Sequence, residues 1–285
     1  MLRLRDLSSP TSNSKQAGTK AMKTNFFSTE PIPGPDSRRK LGFRSGKKGT
    51  HTSRTIMLTE LSALLTSVSD DGDRDAYASA IVNGNCLGKA TASTRKLTNQ
   101  RLSELYGLDP TLPIFRALRR VWSVDENSRP LLALLVALAR DPLLRATAPN
   151  IISLPVGTEF QRQPIRDSLR AAVGERLNDS TLNKVVRNAS SSWTQSGHLR
   201  GRTFKFRNQI KATPASIALA LYLAYGAGFR GEELLTCDWM AVLDCKPGEA
   251  RELLSQAKRL GIIDLKSAGD VFEVGFARLD AARRN

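Results

Sequence analysis

From Leu58 onward, apolar residues recur at helical spacing. Leu58, Leu61, Leu64, Leu65 and Val68 make one stripe, which Asp70-Asp71-Gly72-Asp73 ends. A second helix is predicted from Arg74 to Val82, stopping at the turn dipeptide Asn83-Gly84. Thr91 or Ser93 caps the next, which carries Leu97, Arg101, Leu102, Leu105 and Tyr106. Pro110 and Pro113 bracket the start of another, ending near Trp122. Asn127 or Ser128, then Pro130, open a helix over 131–140 that is apolar on nearly all sides, as suits the centre of a bundle. Asp141-Pro142 restarts a short helix before Pro149, so residues 56–153 read as an all-helical domain.

Residues 151–163, with Pro155 and Gly157, read as a connector. Pro164 then opens a helix running to about Val173. Asn178-Asp179-Ser180 supplies a turn and a cap. Leu182, Val185, Val186, Ala189 and Trp193 form the core stripe of the following helix, which Gly197 ends. In 203–207, Phe204 and Phe206 alternate with Thr203, Lys205 and Arg207, the pattern of a half-buried strand. Helix, turn, helix and basic hairpin is the order of a winged helix.

The last segment repeats that order. Thr213-Pro214 opens a helix over 215–225, and a shorter helical stretch covers 232–243. Lys246-Pro247-Gly248 turns into a helix bearing Ala250, Leu253, Leu254, Ala257 and Leu260. Strands at 262–265 and 271–276 join through Gly269-Asp270. The expected fold class is mainly α: an N-terminal helical domain, then two winged-helix-like units with short β-hairpins at 164–211 and 212–280.

Charge separates the two units. The 285-residue chain carries a formal net charge of +16. Residues 176–211 hold eight Lys/Arg and one acid, whereas 56–175 and 212–285 are nearly neutral. The basic unit therefore fits a polyanionic partner, double-stranded DNA in the first instance. Away from the core stripe, its second helix shows Thr181, Lys184, Arg187, Asn188 and Ser191, types that contact base edges and phosphates. Arg200, Arg202, Lys205 and Arg207 fall on the wing, with His198 at the junction. Arg95, Lys96, Asn99 and Arg101 make a smaller, secondary DNA face. The 248–260 helix mixes both signs and suits packing better than phosphate contact.

Residues 1–55 hold 12 basic and 3 acidic side chains and are rich in Ser, Thr, Pro and Gly. They are expected to be a disordered basic tail that adds non-specific attraction to DNA, or a leader ahead of a folded chain opening at Met57. The densest apolar run, 131–139, is too short to span a bilayer, so no membrane partner and a cytoplasmic location are expected. Cys86, Cys237 and Cys245 are too few and too widely spaced for a disulfide framework or a zinc site. Two histidines leave little for acid–base chemistry. Asp70, Asp71, Asp73 and Asp75 suit helix capping better than metal binding. No catalytic residue, metal, cofactor or small-molecule substrate is expected.

The stretch Asn83-Gly84-Asn85-Cys86-Leu87-Gly88-Lys89 within 81–96, with 100–105, 132–141 and 182–193, resembles the BrxA family of BREX bacteriophage-exclusion systems. The resemblance spans about 56–280 and rests on helix starts and apolar spacing. It implies a compact, winged-helix-containing accessory protein that binds double-stranded DNA, has no enzymatic activity of its own, and has other BREX components as further partners. The long basic tail departs from that family. Two other readings fit the same residues: a winged-helix transcriptional regulator, and a protein-interaction scaffold whose basic patch meets an acidic partner.

Overall fold

The computed structural model describes residues 27, 35–46, 48–268 and 271–281. It is mainly helical with two small antiparallel hairpins. In chain order come α1 (Pro35–Leu41), α2 (Leu58–Ser67), α3 (Arg74–Val82), α4 (Ala92–Tyr106), α5 (Pro113–Trp122), α6 (Arg129–Arg140), α7 (Pro142–Arg145) and α8 (Ala148–Ile152). They are followed by α9 (Arg162–Val173), α10 (Asp179–Gln195), β1 (Leu199–Arg200), β2 (Phe206–Arg207) and α11 (Pro214–Ala227). α12 (Glu233–Thr236), α13 (Asp238–Ala241), α14 (Pro247–Arg259), β3 (Asp264–Ala268) and β4 (Val271–Gly275) complete the order.

Several starts follow from side-chain caps, which occupy otherwise orphaned N–H groups. Asp73 accepts from Ala76 N at 2.8 Å, Thr91 from Thr94 N at 3.1 Å, and Asn178 from Thr181 N at 2.9 Å. Thr213 and Ser216 cap α11 reciprocally. α6 lies at the centre as its all-round apolarity requires: Leu131 through Arg140 are buried, and the helix packs against α2, α4, α5, α7, α10 and α11. Each fully buried leucine there contributes on the order of 2 kcal/mol. Arg140 ends this helix by donating to Gly42 O and, at 3.2 Å each, to Ser103 O and Glu104 O. Burial pushes its pKa down to about 10.

Two expectations about organisation are corrected. The tail expected over 1–55 does not hold for 35–46 and 48–55, which fold onto the core. Arg44 N donates to Ala139 O at 3.1 Å, and the turn Thr50–Thr52 puts His51 at 0% exposure. Further out, Phe27 is buried against Trp239 with ring centroids 4.7 Å apart. Met57 therefore does not open the folded chain. Residues 1–26, 28–34 and 47 lie outside the described residues. The expected split into a helical domain and two separate units is also replaced by one continuous core, from Phe27 to Leu279. α11 packs on α5 and α6 as well as on α13 and α14, because it is apolar on every side.

Helices followed by a hairpin occur twice, as α9–α10–β1–β2 and as the four helices α11 to α14 followed by β3–β4. The first hairpin is short and pairs Leu199 with Arg207 and Arg200 with Phe206. The expected connector supplies its outer edge. Arg207 N donates to Thr158 O at 2.9 Å, and Phe160 N to Lys205 O at 2.7 Å. The second hairpin pairs Asp264 with Gly275 through Ala268 with Val271, and its turn at Gly269-Asp270 lies outside the described residues.

Candidate nucleic-acid interface

α10 packs by the stripe read from its spacing: Leu182, Val185, Val186, Ala189 and Trp193 are all buried. Only part of its other face is open. Asn188 Nδ2 donates to His51 O at 2.8 Å, and Gln195 Oε1 accepts from Leu58 N at 3.3 Å, so residues 51–58 cover the C-terminal half. Asn188 is thus engaged within the chain, and Ser191 is half-buried in the covered half. Lys184 and Arg187 are exposed in the open N-terminal half, with Thr181 half-buried beside them.

That half faces α9 across a cleft of about 620 Å³ lined by Arg162, Gln163, Arg166, Ser180, Asn183, Val186 and Arg187. None of these lining residues is acidic. Arg166 bonds Asn183 Oδ1 at 3.0 Å and pairs with Asp179 at 2.8 Å, which fixes one wall. Arg170 shares Asp179, so that single carboxylate meets two guanidinium groups. Arg162 and Arg187 line the cleft and are exposed. Sequence reasoning missed Arg162 and Arg166 because they belong to a segment with balanced charge; only the packing of α9 on α10 brings them to the basic patch.

The hairpin inverts its expected polarity. Leu199 and its cross-strand partner Arg207 face inward at 1% and 2% exposure, while Arg200 and its partner Phe206 face outward. Arg207 ion-pairs with Asp244 and donates to Ile151 O at 3.0 Å, so it is no DNA contact. His198 is likewise withdrawn. It is fully buried, Nε2 donating to Val242 O at 2.7 Å and Nδ1 meeting Ser196 Oγ at 2.9 Å. Burial pushes its pKa down to about 4, with nearby Arg207 acting in the same direction, so it is neutral at pH 7. Lys205 is partly spent inside the turn, donating to Thr194 Oγ1 at 2.7 Å; desolvation and the nearby Arg162 lower its pKa. Arg200 and Arg202 are exposed. The backbone bond from Phe160 N to Lys205 O, 2.7 Å, brings the start of α9 against the hairpin, so the cleft and the hairpin adjoin.

The secondary face is weaker than its composition suggests. Arg95 donates to Val82 O at 2.9 Å and Arg101 pairs with Glu104 at 2.8 Å, leaving Lys96 exposed and Asn99 half-buried.

Sequence reasoning did not foresee a third cluster. His51 Nδ1 lies 2.8 Å from Asp141 Oδ2, and Nε2 lies 2.8 Å from Ser192 Oγ. The order matches an acid–histidine–serine triad, but all three side chains are buried. Ser192 Oγ also accepts from Ile56 N at 3.0 Å and donates to Asn188 O at 2.8 Å. Asp141 accepts from His51 N at 3.0 Å and from Leu144 N at 3.2 Å. Its pKa is lowered: burial opposes ionisation, and His51 and these N–H donors outweigh it. A nucleophile needs an approach for substrate, and this serine has none; the array joins residues 50–56 to α7 and α10.

No protein-family model matches the chain, and no curated protein matches it. No helix among the described residues is long and apolar enough to cross a membrane, and no group of three or more His, Cys, Asp and Glu among them is placed to hold a metal ion.

Proposed function

We propose that this chain is a non-enzymatic double-stranded-DNA-binding protein that serves as an accessory component of a BREX-type phage-defence system. DNA would contact the α9–α10 cleft and the outer face of the first hairpin. The observation that carries the reading is a cleft lined by Arg162, Arg166 and Arg187 with no acidic lining residue, together with the exposed Lys184 of α10 and the exposed Arg200 and Arg202 of the adjoining hairpin. The open end of α10 is its N-terminal half, the part by which a helix-turn-helix recognition helix reaches base edges. The defence assignment rests on the resemblance to the BrxA family stated above.

Duplex titration across salt tests DNA binding. With Lys205 included, six cations facing phosphates give a slope of log K against log salt of about −5. A chain without measurable duplex affinity at low salt is not a DNA-binding protein. Deleting the reading frame from a host that carries it tests the second half: plaque counts of an excluded phage should rise, and unchanged counts would remove the defence role.

A further inference from the structure

The hairpin carries an aromatic side chain that neither the core nor a phosphate contact uses. Phe204, at the tip, is 66% exposed, and Phe206, the first residue of β2, is 37% exposed. A lone exposed apolar residue is ordinary on a protein surface. Next to Phe204 and Phe206, half-buried Lys205 donates to Thr194 Oγ1 and buried Arg207 pairs with Asp244. The 204–207 segment thus engages its two cations within the chain while its two rings stay in water. The tip is braced as well. Gly201, at φ +108°, lets the Phe204 carbonyl oxygen come to 2.0 Å from where a Cβ would stand, and Lys205 Nζ donates to Gly201 O at 3.3 Å. The ring is held out on a tight turn, flanked by Arg200 and Arg202.

An apolar ring projecting from a cation-flanked, rigid tip fits one partner chemistry well: the face of a base at a duplex step whose phosphates the flanking arginines hold. We propose that Phe204 inserts between stacked base pairs of duplex DNA as a wedge, kinking the helix while Arg200 and Arg202 neutralise the adjacent phosphates. This deepens the DNA-binding reading and rests on it. The arginines supply the salt-dependent attraction, and the ring supplies a salt-independent contact.

A Phe204→Trp chain provides the probe, since the native Trp122, Trp193 and Trp239 are all buried. Adding a fully paired duplex should quench the exposed indole. Fluorescence transfer between dyes at the duplex ends should show bending by the wild-type chain, and the bend should be lost with Phe204→Ala. The same variant should bind about 10-fold more weakly with an unchanged salt slope and an unchanged melting temperature. Duplex binding with an unquenched indole, or quenching only by bulged or single-stranded DNA, would overturn the wedge and leave DNA binding standing. Absence of duplex binding by the wild-type chain would overturn both.

Discussion

The Arg207 guanidinium is paired with the Asp244 carboxylate, and this contact ties the first hairpin to the segment between α13 and α14. It takes a cation expected at the DNA and makes it part of the core. Truncating Arg207 removes a buried guanidinium with its bonds and leaves the half-buried Asp244 carboxylate without its cation, so Arg207→Ala should cost on the order of 2–3 kcal/mol in urea unfolding. Arg200→Ala, one strand over and exposed, should leave the unfolding midpoint nearly unchanged. Equal midpoints for the two variants would refute this division of labour.

His198 makes stability depend on pH. Its folded pKa, about 4, lies below the value near 6.5 of an exposed histidine, so the unfolded chain binds the extra proton first. The neutral form's stability is intact above about pH 6.5 and is lost progressively down to about pH 4, at most about 3 kcal/mol. Asp141, whose folded pKa is depressed, contributes stability above its unfolded value and loses it at more acid pH, below the histidine window. His198→Gln keeps a donor for Val242 O and should flatten the urea midpoint between pH 6.5 and 4 relative to wild type.

The His51–Asp141–Ser192 array predicts a structural phenotype. Ser192→Ala removes the acceptor for Ile56 N and the partner of His51 Nε2, costing about 1–3 kcal/mol for each buried group left unsatisfied. Folded wild-type chain should not react with a fluorophosphonate that labels nucleophilic serines. Stoichiometric labelling of Ser192 would make it a catalytic residue.

A chain begun at Met57 lacks His51, the Arg44–Ala139 backbone bond and the Gly42 carbonyl that Arg140 donates to. It should unfold at markedly lower urea than the full chain, measured by circular dichroism. An unchanged midpoint would restore the view of 35–55 as a dispensable tail.

The longer helices from α2 onward were legible where a periodic stripe follows an identifiable start, as in Leu182 to Trp193 after Asn178, whereas α1 lay in the segment expected to be tail. The second hairpin followed from its apolar runs and its turn residues. What failed has a common cause. His51, His198 and Arg207 are polar and local composition reads them as surface, yet each is buried because a distant group satisfies it: Asp141, Val242 O and Asp244. The 35–55 segment reads as low-complexity tail because its few anchors meet partners far along the chain: Phe43 meets Trp239, and His51 meets Asp141 and Ser192. Arg162 and Arg166 join the basic surface only through the packing of α9 on α10, which charge counting along the chain does not register.

Duplex affinity of the wild-type chain against Arg162→Ala/Arg187→Ala/Arg200→Ala/Arg202→Ala, measured by fluorescence anisotropy across salt, tests the basic surface most directly. Of the six cations only Lys184 and Lys205 then remain, so the slope of log K against log salt should fall from about −5 to about −2, with an unchanged unfolding midpoint. An unchanged slope and affinity in the folded variant would contradict the account and place DNA binding elsewhere on the chain.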